Sequence, residues 1–149
     1  MAAAPPYPGH GMFLPYLINR TTTLINARLQ TVLEPQGLTL THWRVLAFLT
    51  TVDEGLTLSA LGDATLTEQS TLSRSLKVLE GRALVERRAC TADSRAVQIR
   101  ITRQGKRLFQ TLLKSVLALE AELLQGVSVE ETELMRSVML RIIANAPER

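Results

Sequence analysis

Residues 57–88, TLSALGDATLTEQSTLSRSLKVLEGRALVERR, and residues 93–102, DSRAVQIRIT, decide how this chain folds. With Leu72 at the origin of a helical wheel of about 3.6 residues per turn, Leu76, Leu79 and Ala83 fall on one face. Ser70, Ser73, Arg74 and Lys77 fall roughly opposite. One face can be buried, while the other carries hydroxyls and two cations, groups that suit phosphate oxygens and base edges. The preceding Leu58–Gly62 has the spacing of a short helix, as a helix-turn-helix requires. Thr65 followed by Glu68 is a capping-box pattern, with Thr67 as a second candidate cap. Downstream, Leu84–Arg88 and Ala96–Ile101 read as two strands, with Val97, Ile99 and Ile101 alternating against Gln98 and Arg100. Thr91–Ser94 supplies the turn between them.

Charge supports a nucleic-acid surface over an ordinary solvated helix. From Arg74 to Arg107 the chain holds ten Lys and Arg residues against Glu80, Glu86 and Asp93. That leaves a local net charge of +7 in a chain whose total is +3, so the remainder carries −4. A basic segment on a slightly acidic body is an electrostatic footprint for nucleic acid.

These residues carry a family resemblance. Residues 93–105, from Asp93 and Arg95 through VQIRIT to Gly105, resemble the wing of MarR-family winged-helix transcription regulators. Residues 70–85, STLSRSLKVLEGRALV, resemble that family's recognition helix, and LTLTHWRVL at 38–46 resembles its second helix. The resemblance covers roughly residues 12–145. It implies a mainly α fold with a small β-wing: a winged helix-turn-helix with N- and C-terminal dimerisation helices. It also implies a sequence-specific DNA-binding regulator, a repressor relieved by a small effector. Ser70, Thr71, Ser73, Arg74 and Lys77 are then expected at the major groove and its phosphates. Arg95 is expected at the minor groove, Asp93 as a brace for the wing, and Arg88 on the DNA backbone. A winged-helix protein-interaction module without DNA readout is the alternative from another class, and it would show no salt-sensitive DNA binding.

Outward from this lobe, assigned to residues 38–102, the remaining segments read as helices. Leu14, Leu17, Ile18, Leu24, Ile25 and Val32 track one face of a helix within 12–34, which Pro35 and Gly37 end. Thr39 caps a second helix running to about Thr50, with apolar residues on so many sides that its neighbours should largely enclose it. Thr102 caps a long helix to about Gln125, Gly126 breaks it, and Ser128 with Glu131 opens a last helix. The stretches 12–34 and 103–145 carry more apolar surface than a small winged lobe can cover, which points to a symmetric dimer, with a self-contained helical bundle around the winged lobe as the alternative. Met1–Gly11, rich in Ala, Pro and Gly and without a positively charged start, reads as a flexible tail and not as a secretory signal. The whole of 12–149 reads as a single domain.

Composition excludes other classes. No window approaches the run of about 20 apolar residues a membrane span needs. The single cysteine, Cys90, cannot form an intrachain disulfide and fits a reducing, cytoplasmic setting. The two histidines, His10 and His42, lie far apart, and neither a metal-ligand spacing nor a Gly-rich phosphate loop is present. The expectation is therefore no enzyme, no metal and no cofactor. The partners expected are a pseudo-palindromic double-stranded operator, a second copy of the chain, and a small effector. Relatives of this kind bind aromatic acids or similar anions where the dimerisation helices meet the DNA-binding lobe. The candidate wall is Tyr16, Asn19, Arg20 and Thr23 on the first helix with His42, Trp43 and Arg44 on the second. The two arginines could hold a carboxylate, and Tyr16 or Trp43 could stack on a ring.

Overall fold

A computed structural model of the chain describes residues 6–89 and 97–146. The chain divides into two compact units, Met1–Val116 and Leu117–Arg149.

In the first unit, α1 (Leu14–Leu33) carries Pro15 in its first turn and ends in a short 3-10 turn, Glu34–Gln36. Gly37 then reverses the chain at φ +63°. The side-chain amide of Gln30 grips the next segment from both sides. Its Nε2 donates to the Leu38 carbonyl at 3.1 Å and its Oε1 accepts from the Leu40 amide at 3.2 Å. Helix α2 (Leu40–Leu49) is capped by Thr39, as expected, but the cap is reciprocal. The His42 amide donates to Thr39 Oγ1 at 3.3 Å, and His42 Nδ1 accepts from the Thr39 amide at 3.1 Å. Val45, Leu46 and Leu49 are buried, whereas Phe48 is exposed, so α2 is enclosed less completely than its composition suggested.

Before α1, the chain turns at Gly9, whose carbonyl accepts from the Phe13 amide at 3.0 Å. Tyr7 sits edge-on to Phe13 (ring centroids 5.4 Å apart) and to His10 (5.7 Å), and His10 sits edge-on to Tyr16 (5.0 Å).

A short strand, β1 (Leu56–Thr57), was not expected. It pairs with β3 (Val97–Ile101) through Leu56↔Ile99 and Thr57↔Gln98, and with β2 (Val85–Ala89) on the other side of β3 the result is a three-stranded antiparallel sheet in the order β1-β3-β2. Gly55 makes the approach possible, because a Cβ there would lie 2.5 Å from the Ile99 carbonyl oxygen. Thr57 then caps α3 (Leu58–Thr65), its Oγ1 accepting from the Ala60 amide at 3.2 Å.

Helix α4 (Gln69–Gly81) follows, but not through the expected capping box. Thr65 is the last residue of α3, and its hydroxyl is committed to the Leu61 carbonyl at 2.7 Å. Thr67 Oγ1 donates to the Thr65 carbonyl at 3.1 Å. The N-cap position falls to Glu68, with no side-chain cap. At the other end, Ala83 is not part of the buried helical face. It lies beyond the helix, exposed, at φ +53°, and turns the chain into the wing. Leu66, between α3 and α4, is also left-handed (φ +51°) and is 90% exposed.

The wing is β2 (Val85–Ala89) paired with β3 (Val97–Ile101), in register Val85↔Ile101 to Ala89↔Val97. β2 lies one residue later than the expected Leu84–Arg88, and β3 ends at Ile101 as expected. Ile99 is buried, as alternation required, but Val97 is exposed. Helix α5 (Arg103–Leu123) opens on Thr102, whose Oγ1 accepts from the Gly105 amide at 3.0 Å and donates to the Ala83 carbonyl at 2.7 Å. The core collects Leu33, Leu46 and Leu49, Leu61 of α3, Leu72, Leu76 and Leu79 of α4, Ile99, and Phe109 of α5. Each fully buried leucine contributes about 1.5–3 kcal/mol, so the three from α4 fix the rotation of that helix about its axis.

In the second unit α5 ends at Leu123, and Gly126 turns the chain at φ +83°. Ser128 and Glu131 form the expected capping box at α6 (Val129–Asn145). The Ser128 amide donates to Glu131 Oε2 at 2.8 Å, and the Glu131 amide donates to Ser128 Oγ at 3.1 Å. Leu134, Met135, Leu140 and Ile143 of α6 are exposed.

Candidate nucleic-acid interface

Helix α4 is amphipathic in the sense its sequence predicts. Leu72, Leu76 and Leu79 are fully buried, and Ser75 is buried beside them. Ser70, Thr71, Arg74 and Lys77 are exposed, and Ser73 is half-exposed. Neither Arg74 nor Lys77 has a hydrogen-bond or ion-pair partner among the described residues. No side chain caps the N-terminus of the helix, so its first-turn amides stay available, and the positive end of the helix dipole favours an anion there.

Four of the other cations counted in the basic segment have partners within the fold. Arg82 donates through Nη1 to the Gln36 carbonyl at 2.9 Å, tying the end of α4 to the turn after α1. Arg87 Nε pairs with Glu80 Oε1 at 2.6 Å, and Arg100 Nη2 pairs with Glu54 Oε2 at 2.6 Å. Arg88, expected on the DNA backbone, is exposed and sits 2.7 Å from Glu86 Oε1. Counting charges could not reveal these pairings, because their partners are set by the wing's folding. Asp93 and Arg95, the expected brace and minor-groove contact, lie outside the described residues, as does Cys90.

The residues proposed for an effector wall fall into two sets. On α1, Arg20 Nη1 donates to the Tyr16 hydroxyl at 3.1 Å, and Thr23 Oγ1 donates to the Asn19 carbonyl at 2.9 Å. On α2, Trp43 stacks on Phe109 of α5 with centroids 4.8 Å apart and planes 18° apart. His42 is buried in the α2 cap, and burial, with the Arg82 charge second, holds its pKa below the usual histidine value. Arg44 is half-buried. No hydrogen bond or ring contact joins the α1 set to the α2 set among the described residues.

Among the described residues, no group of three or more His, Cys, Asp or Glu side chains is placed to hold a metal ion, and no helix is long and apolar enough to cross a membrane.

An anchored polar helix followed by a two-stranded wing has counterparts among known proteins. The sequence model of the MarR family matches residues 36–96, a stretch that begins at the turn before α2 and takes in β2. The transcriptional regulator PA3341 is 30% identical and superposes with a TM-score of 0.82, over 89% of this chain and 97% of its own. A MarR-family transcriptional regulator from Silicibacter pomeroyi is 29% identical, with a TM-score of 0.83 over 95% of this chain and 94% of its own. CouR from Rhodococcus jostii RHA1, solved bound to p-coumaroyl-CoA, shares the fold at 21% identity, with a TM-score of 0.84 over 96% of this chain and 100% of its own. The match of sequence model, fold and nearly full-length relatives agrees with the arrangement of α4 and its wing, and the chain belongs to the MarR family of transcription regulators.

Proposed function

We propose that this protein is a cytoplasmic homodimeric repressor that binds a pseudo-palindromic operator and is released from it by a small anionic or aromatic effector. One observation carries the reading. The rotation of α4 is fixed by three buried leucines, and the face left open presents Ser70, Thr71, Arg74 and Lys77 with both cations unpaired among the described residues. Hydroxyls and unpaired cations on a rigid helix suit a major groove, where base edges are distinguishable and phosphates set the register. In this reading Arg88 meets the DNA backbone and Arg95 the minor groove, with Asp93 as a brace for the wing.

Exposed apolar surface supports the dimer in this reading. Leu14, Leu17, Leu24 and Ile25 are exposed on α1, and Leu134, Leu140 and Ile143 are exposed on α6. A two-fold dimer covers such surface and sets two recognition helices about one DNA turn apart. The effector reading is supported by CouR's p-coumaroyl-CoA and by the Tyr16–Arg20 pair, which offers a ring face and a guanidinium together. Tyr16, Asn19, Arg20, Thr23, His42, Trp43 and Arg44 remain its candidate wall.

The test is selection of bound fragments from the source genome, followed by salt titration of binding to the selected duplex and to a scrambled one. The reading requires tighter, salt-sensitive binding to the selected site. Equal affinity for both duplexes would make the protein an architectural binder, and no salt-sensitive binding would make it an interaction module.

A further inference from the structure

Helix α4 carries its open face well past the residues named for the groove. On a helix of about 100° per residue, Thr71, Arg74, Val78 and Gly81 form one strip, about 80° wide and about 15 Å long. All four are exposed, and the buried Leu72, Leu76 and Leu79 hold them turned away from the core. The strip therefore runs from the first turn of the helix to its last residue.

Two of its members have no use within the protomer. Val78 is 45% exposed, and it is the apolar side chain among the exposed positions of α4, where Gln69, Ser70, Thr71, Arg74 and Lys77 are polar. A β-branched residue also gains nothing for an exposed helix, because its χ1 is restricted there. Gly81 is the second. A glycine in a helix costs stability relative to alanine. Its φ is not left-handed, and a Cβ there would meet no heavy atom within 4 Å. Neither backbone conformation nor packing inside the protomer calls for glycine. The charged side chains on either side of it are drawn back into the fold, Glu80 onto Arg87 at 2.6 Å and Arg82 onto the Gln36 carbonyl at 2.9 Å. The surface at the end of the strip is left bare.

We propose that α4 lies along the major groove over its whole length, with Val78 against a thymine methyl group and Gly81 admitting a sugar-phosphate strand at close range. Both contacts rest on the operator reading above and add residues to it. The thymine C5-methyl is the apolar group that a base pair presents in the major groove. Val78 lies one turn beyond Arg74, so its thymine falls within about two base pairs of the one Arg74 reads. Glycine is the residue that lets a helix surface and a ligand backbone come closest.

The test is a uracil scan of the selected operator, in which each thymine in turn loses its C5-methyl. One substitution, within about two base pairs of the position relaxed by Arg74→Ala, should weaken wild-type binding about fourfold, the worth of one buried methyl. Val78→Ala should bind the unmodified operator about fourfold more weakly and be indifferent to that same substitution. Gly81→Ala should raise the melting temperature by about 1–3 °C and still weaken operator binding at least about fivefold. Opposite signs cannot come from misfolding. Equal uracil penalties in wild type and Val78→Ala at every position overturn the proposal, and so does Gly81→Ala binding as tightly as wild type. Those outcomes leave the repressor reading standing, with α4 entering the groove by its N-terminal end alone. A wild type that does not distinguish the selected duplex from a scrambled one overturns both.

Discussion

Arg87 Nε lies 2.6 Å from Glu80 Oε1, so the first strand of the wing is pinned to the C-terminal half of the recognition helix. The pair also neutralises one cation of the basic segment. Glu80→Gln keeps the side chain's shape and releases Arg87. A partly exposed pair of this kind contributes under about 1 kcal/mol, so the melting temperature should move by no more than about 4 °C. Non-specific duplex binding should tighten at low salt, with a slope steeper by about 0.9 per protomer. An unchanged slope would show that Arg87 faces away from DNA even when free.

Arg74 and Lys77 should separate by what they read. Arg74→Ala is expected to cost about 1–3 kcal/mol on the operator and much less on scrambled duplex, relaxing one position of the site. Lys77→Ala should weaken both duplexes alike and lower the salt slope by about one. Binding isotherms of each variant on the two duplexes over a range of salt make the comparison. Equal losses on both duplexes for Arg74→Ala would place it on phosphate.

Assembly can be tested without disturbing the core, since Leu24 is 56% exposed. Leu24→Glu should leave the thermal melt of the protomer nearly intact and shift sedimentation to the monomer. It should also weaken operator binding, because each half-site is then engaged alone. A dimer of unchanged strength would move the interface off this part of α1.

The α2 cap makes stability depend on pH with a definite sign. His42 Nδ1 accepts from the Thr39 amide, so it must be unprotonated there. Its folded pKa lies below the ordinary 6.5. The unfolded chain therefore binds the proton more readily. The cap's stabilisation is complete above about pH 6.5 and declines as pH falls through the region below it. His42→Gln, which can fill the same capping position with an amide oxygen, should flatten that decline and retain stability at pH 7.5. Urea melts between pH 5 and 7.5 measure both. An equally steep decline in the variant would assign the acid sensitivity to other groups.

Gly105 is the site where one methyl group should do most harm. A Cβ there would lie 2.1 Å from the Leu84 carbonyl oxygen, at the junction of wing and α5. Gly105→Ala should cost about 3 kcal/mol, the upper end for overpacking, and lower the melting temperature by about 6–12 °C. Calorimetry of the variant decides.

Most helix bounds were legible because their signals are local. Thr39, Thr102 and the Ser128–Glu131 pair act on amides two or three residues away, and Gly126 acts on its own backbone. Thr65 misled because a threonine hydroxyl has two local uses. Here it bonds back to Leu61 inside α3 instead of forward to α4. Ala83 misled because a helical wheel has no means of ending, and the chain leaves the helix before reaching it. Strand β1 was invisible for a different reason. Its two residues pair with Ile99 and Gln98, more than forty positions away, and nothing in Leu56–Thr57 alone requires a sheet. The open face of α4 was legible from periodicity, but the unpaired state of its cations depended on tertiary partners for Arg82, Arg87 and Arg100.

Leu66 and Ala83 stand on either side of α4, both left-handed and neither of them glycine. Glycine at these positions would relieve a backbone cost of about 1 kcal/mol each. It would also widen the range of angles at which the helix could be held, because glycine restricts its dihedrals least. The side chains in place act as detents. They narrow the orientations open to the reading head at some expense of global stability, so that less orientational freedom is left to lose when DNA is engaged. Thermostability and operator affinity should therefore move in opposite directions when these two positions are changed to glycine.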